Sequence, residues 1–320
     1  MKIFTCPTCG NRVYFDNMVC ACGQEVAFDV DRQAMEPATF VCANRTAINC
    51  NWKADAGAEL CRSCAMTEVV PDAGVPENVP LWERSERAKR WVLANLARWN
   101  WLTAADQGPR PRFRLLSEQT SGGEEAVTMG HEDGVISINV AEASDPTRVL
   151  RREQFDERYR TMVGHFRHEI AHFLFMRLRE RPVFLDAFRE QFGDERADYA
   201  EALERHYEAP SEPEDDHVTS YAGAHPHEDW AETAAHAMHL TDLVDSLAAT
   251  GLALPEGPQP GYDPYAESDT ERLVSLAVDV ALAVNHVNRS LDLPDLYPFV
   301  LSPQVRTKLA FAHRWLKRDA

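Results

Sequence analysis

His168, Glu169 and His172, in the run His165-Phe-Arg-His-Glu-Ile-Ala-His-Phe-Leu-Phe175, are the residues whose types and spacing carry the plainest chemistry. On a helix, positions four apart share a face, so the two imidazoles converge on one metal ion while Glu169 projects toward the water that ion would hold. That is the core of a zinc hydrolase with Glu169 as general base. A catalytic zinc takes three protein ligands and keeps one position open, so a third ligand must lie elsewhere. One class of such enzymes places a His six residues after the second, but position 178 is Leu.

The region Tyr221-Ala-Gly-Ala-His-Pro-His-Glu-Asp-Trp-Ala-Glu232 offers the missing donor. Glu228 and Glu232 lie one turn apart on a helix that Pro226 can start, so both carboxylates face the same way. Two carboxylates on one face call for a cation or a donor between them. Glu228 is therefore read as the third zinc ligand, and Glu232 as the acceptor of a ligand histidine's N–H, expected from His168, which fixes its tautomer. The competing reading is a solvated acidic face in an acidic protein. Tyr221, seven residues before Glu228, is the candidate oxyanion donor; the plainer role for it is packing with a satisfied hydroxyl. His225 and His227 are rival donors or ligands, and His165, His236 and His239 are either neighbours of the site or hydrogen-bonded core histidines. The acidic stretch from Glu195 to His217 reads as exposed helix and loop, with Asp194, Glu195 and Asp198 as candidate buttresses.

All 8 cysteines lie before residue 65. Cys6-Pro-Thr-Cys9-Gly10 has the spacing of a zinc knuckle, in which Gly10 supplies the positive φ that turns backbone N–H groups toward sulfur. Cys61-Arg-Ser-Cys64 repeats it. Cys20-Ala-Cys22 is one residue tighter, and Cys42 and Cys50 have seven residues between them, so each site pairs a regular half with an irregular one. Sequential sites, Cys6/Cys9/Cys20/Cys22 and Cys42/Cys50/Cys61/Cys64, are expected in preference to an interleaved pairing. Closed four-thiolate sites are structural, holding a segment too small to fold on its own core. A disulfide framework is disfavoured because the amino terminus shows no secretory signal.

The elements that must position these groups follow from periodicity. Phe155, Tyr159, Met162, Val163, Phe166, Ile170, Phe173 and Leu174 recur at helical spacing across 147 to 181, and Pro182 stops that run. Pro71 to Pro76 reads as a linker. Beyond it come a helix over 81 to 102, a strand over Phe113 to Ser117, and a hairpin of Ala126 to Met129 with Val135 to Val140 around Glu132-Asp133-Gly134. Strand 135 to 140 is expected to be a sheet edge, open to an extended peptide. Helices are expected over 195 to 208, 227 to 249, 269 to 291 and 303 to 318. A few strands, the metal helix, then helices describe an α+β fold: a Cys-rich double zinc ribbon over residues 1–76, then a mostly helical zincin-like domain with a small amino-terminal sheet over 77–320.

Composition narrows the partners. A formal charge of -18 argues against the phosphate backbone of nucleic acid, and even residues 1 to 70 carry 6 basic against 8 acidic side chains. No run of 18 apolar residues suits a membrane, and a cytoplasmic location is expected.

Beyond spacing, the chain resembles the bacterial family of putative zinc-binding metallopeptidases, a zinc ribbon ahead of a gluzincin-like domain. The likeness covers nearly the whole length. It rests on Cys6-Pro-Thr-Cys9-Gly, Cys50-Asn-Trp52, Cys61-Arg-Ser-Cys64, Tyr159 through His172, Phe192-Gly-Asp-Glu-Arg-Ala-Asp-Tyr199 and Tyr221 through Glu232. It implies His168, His172 and Glu228 as ligands and Glu169 as base. The spacing of Tyr221, Glu228 and Glu232 is also similar to toxin metalloproteases of the anthrax lethal factor type, which implies Tyr221 as oxyanion donor. The expectation is a zinc-dependent peptidase with Zn2+ at one catalytic and two structural sites, acting on a peptide or protein. Two other readings stand beside it: a zinc-stabilised protein-binding module with a non-catalytic peptidase-like domain, and hydrolysis of a non-peptide amide.

Overall fold

The computed structural model describes residues 3–144, 161–208, 215–255, 257–259 and 261–318. The chain divides into two compact units, 1–166 and 167–320.

The first unit opens with two small antiparallel hairpins, β1 (Phe4–Thr5) with β2 (Arg12–Val13) and β3 (Val26–Asp29) with β4 (Ala34–Pro37). Gly10 and Gly23 turn the chain at φ +74° and +86°, in the left-handed region that only glycine enters without strain. Phe15 meets Phe28 and Trp91 edge-on at 5.0 and 5.2 Å, giving this sparsely hydrophobic segment an aromatic core. Short helices α1 (Arg45–Ile48) and α2 (Arg62–Ala65) follow, and α3 (Asn78–Ala97) packs on both. The helix expected to reach residue 102 ends five residues earlier. Asn100 and Leu102 adopt φ +61° and +59°, and the reversal buries Trp99, Trp101 and Leu102, so tertiary burial overrides the helical pattern.

A four-stranded sheet has the order β5-β6-β10-β9, from β5 (Thr67–Val69), β6 (Arg112–Leu116), β9 (Gly130–Glu132) and β10 (Val135–Asn139). β5, β6 and β10 run parallel, and β9 returns antiparallel through Asp133-Gly134, both at positive φ as a two-residue hairpin turn requires. Phe113, Leu115, Ile136 and Ile138 alternate along β6 and β10 and are fully buried. The expected edge strand is thus an interior one: β10 is paired on both sides, and β9 covers the flank thought open to a peptide. The hairpin partner is also Gly130–Glu132 rather than Ala126 to Met129. A further two-stranded ribbon joins β7 (Gln119–Thr120) and β8 (Gly123–Glu124).

Of the helix expected over 147 to 181, the part from 147 to 160, with Phe155 and Tyr159, lies outside the described residues; α4 spans Met162–Leu178. Pro182 does more than stop it. It is the first residue of α5 (Pro182–Phe192), where its missing N–H costs nothing. The second unit continues with α6 (Tyr199–Glu208), α7 (Pro226–Thr250), α8 (Thr270–Ser290) and α9 (Pro303–Leu316). Trp230 of α7 is fully buried among Phe184, Phe188, Phe192 and Phe311, and its Nε1 donates to the Ala171 carbonyl at 2.9 Å. That bond ties the middle of α4 to the first turns of α7. Each large ring so buried contributes roughly 1.5–3 kcal/mol, so the relative setting of the two helices is stiff.

Candidate metal centre

Three donor atoms from α4 and α7 converge. His168 Nε2 is 3.1 Å from His172 Nε2 and 3.1 Å from Glu228 Oε2, and His172 Nε2 is 3.4 Å from the same oxygen. The helical repeat brings the two rings together, and α7 lays Glu228 across them from a first turn whose N-terminal dipole favours a carboxylate. Glu228 is wholly buried.

Protonation sharpens the picture. His168 Nδ1 lies 2.7 Å from Glu232 Oε1, and an ionised carboxylate only accepts, so Nδ1 carries a proton and Nε2 is the nitrogen turned to the triangle, where a metal ion binds by displacing a proton. Thr219 Oγ1 donates to the other oxygen of Glu232 at 2.8 Å. Burial opposes charge on His168, but Glu228 and Glu232 outweigh it and raise its pKa well above the ordinary value. Burial likewise opposes charge on Glu228, and the two imidazoles outweigh that and hold it well below the usual range. Two imidazole nitrogens and a carboxylate oxygen crowd together here out of water, so the centre demands a positive charge, either protons on the rings or a metal ion in their place. A tetrahedral zinc with bonds of about 2.0–2.1 Å separates its ligand atoms by about 3.3 Å. The observed 3.1, 3.1 and 3.4 Å match one face of that tetrahedron. Imidazole, imidazole and carboxylate are also the donors that zinc takes in catalytic sites. Glu169 lies on α4 itself, next to His168, and is buried, and its Oε2 has no protein hydrogen-bond partner among the described residues.

Of the neighbouring candidates, Tyr221 sits in a turn of 3-10 helix, Tyr221–Ala224, with its ring 6.0 Å from that of His168. Burial and the Glu228 charge push its phenol above the ordinary value, so it stays an O–H donor. His225 spends both ring nitrogens on backbone: Nδ1 accepts from His227 N–H, capping α7, and Nε2 donates to the Ala197 carbonyl at 3.1 Å. His227 lies against Phe175 at 4.6 Å, and burial pushes its ring down to about 4. His236 faces the Tyr297 hydroxyl at 2.7 Å and His239 faces Arg167 at 2.9 Å, and His236 lies near enough to Glu232 and His168 for their charges to act on it. His165 stands 3.5 Å from the buried Glu142. Asp194 pairs with Arg196, Glu195 pairs with Arg189, and Asp198 accepts from Glu201 N–H at the start of α6. Two contacts escaped the sequence reading. Thr219 is one, and Tyr199 is the other, its hydroxyl donating to Glu228 Oε1 at 2.5 Å. No spacing rule links either to the motif helix.

The cysteines gather in the sequential sets, Cys6/Cys9/Cys20/Cys22 and Cys42/Cys50/Cys61/Cys64, with the sulfurs of each set within 4.8 Å of one another. Sulfur separations of 3.6 to 3.9 Å are far beyond a disulfide and close to the roughly 3.8 Å edge of a zinc tetrathiolate with bonds of about 2.3 Å. Backbone N–H groups of Cys9 and Thr8 pull the Cys6 thiol down to about 7, the knuckle effect expected of that turn. Both sets suit zinc.

Comparison with known proteins agrees with this chemistry. The family model described as putative zinc-binding metallo-peptidase matches residues 78–315, and one described as a zinc-ribbon domain matches 3–39. Uncharacterized proteins of Mycobacterium bovis and of two Mycobacterium tuberculosis strains are each 39% identical over 329 residues, covering 98% of this chain and 94% of theirs. No solved structure matches. Among the described residues no helix is long and apolar enough to cross a membrane.

Proposed function

Because the chain belongs to the putative zinc-binding metallo-peptidase family, we propose that it is a zinc-dependent peptidase whose ion is held by His168, His172 and Glu228. The observation that carries this reading is the triangle of Nε2, Nε2 and Oε2 at 3.1 to 3.4 Å. When bound, zinc supplies Lewis acidity, lowering the pKa of water toward about 7 and polarising a carbonyl. Glu169, with a carboxylate oxygen that has no partner among the described residues, takes the proton from the attacking water and passes it to the leaving amine. Tyr221 donates its hydroxyl to the oxyanion. Glu232 holds the His168 tautomer. Two further zinc ions occupy the cysteine sets and hold the amino-terminal segment together. The ribbon is assigned to residues 1–76 and the gluzincin-like peptidase domain to 77–320, in a cytoplasmic protein that takes peptides or proteins and not nucleic acid.

Metal analysis and a peptide library test the proposal together. Wild type is expected to carry three zinc ions per chain and to cleave the library in a chelator-sensitive way. His168→Ala is expected to carry two. Glu169→Gln should keep three and lose activity by about 100-fold or more; full activity in that variant would remove Glu169 from the reaction, and three ions in His168→Ala would refute the site.

A further inference from the structure

Tyr199 occupies a place that no assigned role explains. It opens α6 and is 43% exposed, and yet its hydroxyl reaches inward to Glu228 Oε1 at 2.5 Å. Glu228 is fully buried, and its other oxygen, Oε2, is the one that faces the two imidazoles. The two oxygens of one carboxylate are thus given different work. Oε1 is taken by a phenol, and Oε2 alone is turned toward the metal position.

The phenol is itself held in place. Its ring meets that of His225 edge-on at 5.1 Å, and His225 is tied to both neighbouring segments, accepting from His227 N–H and donating to the Ala197 carbonyl two residues before Tyr199. The same histidine therefore caps the helix that carries Glu228 and props the tyrosine that grips it. A donor on one carboxylate oxygen does two things to a ligand: it blocks rotation into a two-oxygen grip on the metal, and it withdraws charge from the oxygen that binds. A one-oxygen grip leaves a coordination position open, as catalytic zinc sites require.

We propose that Tyr199 is a positioning residue of the metal centre, holding Glu228 as a single-oxygen ligand through its hydroxyl. This rests on the reading of His168, His172 and Glu228 as metal ligands. The test uses the full-length protein, with Zn2+ in competition with a chelating dye, and the absorption spectrum of the centre after Co2+ replaces zinc there. Tyr199→Phe removes one oxygen and leaves the ring on His225. It is expected to weaken Zn2+ binding at this centre by about 10- to 100-fold and to change the Co2+ bands, with zinc in the cysteine sets unchanged. Tyr199→Leu, which also removes the ring, should weaken binding to no lesser degree. If Tyr199→Phe binds Zn2+ as wild type does and gives the same Co2+ spectrum, the hydroxyl does not position the ligand. Loss of affinity in Tyr199→Leu alone would overturn the proposal too, since the ring and not the hydroxyl would then matter. Failure of the underlying metal site looks different: wild type itself would then lack the third ion, and His168→Ala would match it.

Discussion

His168 offers a lone pair at Nε2 only while its proton stays on Nδ1, and Glu232 keeps it there from 2.7 Å. Thr219 fixes Glu232 in turn, so the tautomer is set by a chain of two contacts. His236, one turn further along α7, shows the opposite use of an imidazole. It is 1% exposed, faces the Tyr297 hydroxyl, and burial pushes its ring down to about 4. The unfolded chain binds a proton at this residue near pH 6.5, whereas the folded chain resists until about 4, so between those values the unfolded state carries more protons. Stability from this group is complete above about pH 6.5 and is lost as the pH falls toward 4. Denaturant titrations at pH 7.5 and 5.5 should show wild type losing about 1.4 kcal/mol more than His236→Gln over that step. Equal losses in the two proteins would mean that His236 does not set this slope.

Among the elements, α3 carries an unusual load. Glu86, Lys89 and Arg90 are each no more than 1% exposed, where a helix of this length normally buries apolar side chains. Lys89 donates to Glu86 Oε1 at 2.8 Å, and both side chains also engage Thr67 of β5. Arg90 is different: its Nε and Nη1 have no hydrogen-bond partner among the described residues, and the charges that act on it include the sulfurs of Cys50, Cys61 and Cys64. A zinc tetrathiolate carries a net charge of about -2, which is costly to bury without a counter-charge. Arg90 supplies one, so α3 is electrostatically part of the second cysteine site. Arg90→Leu should therefore release that zinc at a chelator concentration about tenfold lower, with the first set unaffected, while Arg90→Lys keeps the charge and most of the affinity. Identical release curves for all three proteins would show that the site needs no counter-charge from the helix.

For the molecule as a whole, legibility in the sequence follows how local the signal is. His168 and His172 converge within one helical turn, and the cysteine knuckles close within four residues, so spacing alone displays them. Glu228 and Glu232 were readable because they share a face one turn apart, and α7 begins at the Pro that announces it. What stayed hidden depends on distant partners. Pro182 reads as a stop unless one knows that it also begins α5; β10 looks like an edge until β9 is seen to cover it; Tyr199 reaches Glu228 across 29 positions. Exposure, equally invisible in sequence, distinguishes the two cysteine sets and leads to a prediction for the intact protein. The first cysteine set exposes Cys9 and Cys22, whereas all four members of the second are buried. Chelators remove zinc by entering its coordination shell, and alkylating reagents need an accessible thiolate. With both reagents present, zinc should leave the His168/His172/Glu228 centre first, with no thiol labelled, because three protein ligands leave one coordination position open to a chelator whereas four thiolates leave none. Cys6, Cys9, Cys20 and Cys22 should be alkylated next, and Cys42, Cys50, Cys61 and Cys64 last, at a rate about tenfold slower or more. Mass spectrometry of the labelled peptides over time, read beside zinc release, gives the order directly; simultaneous labelling of both sets would mean that the amino-terminal segment opens as one unit and that burial does not stage the loss.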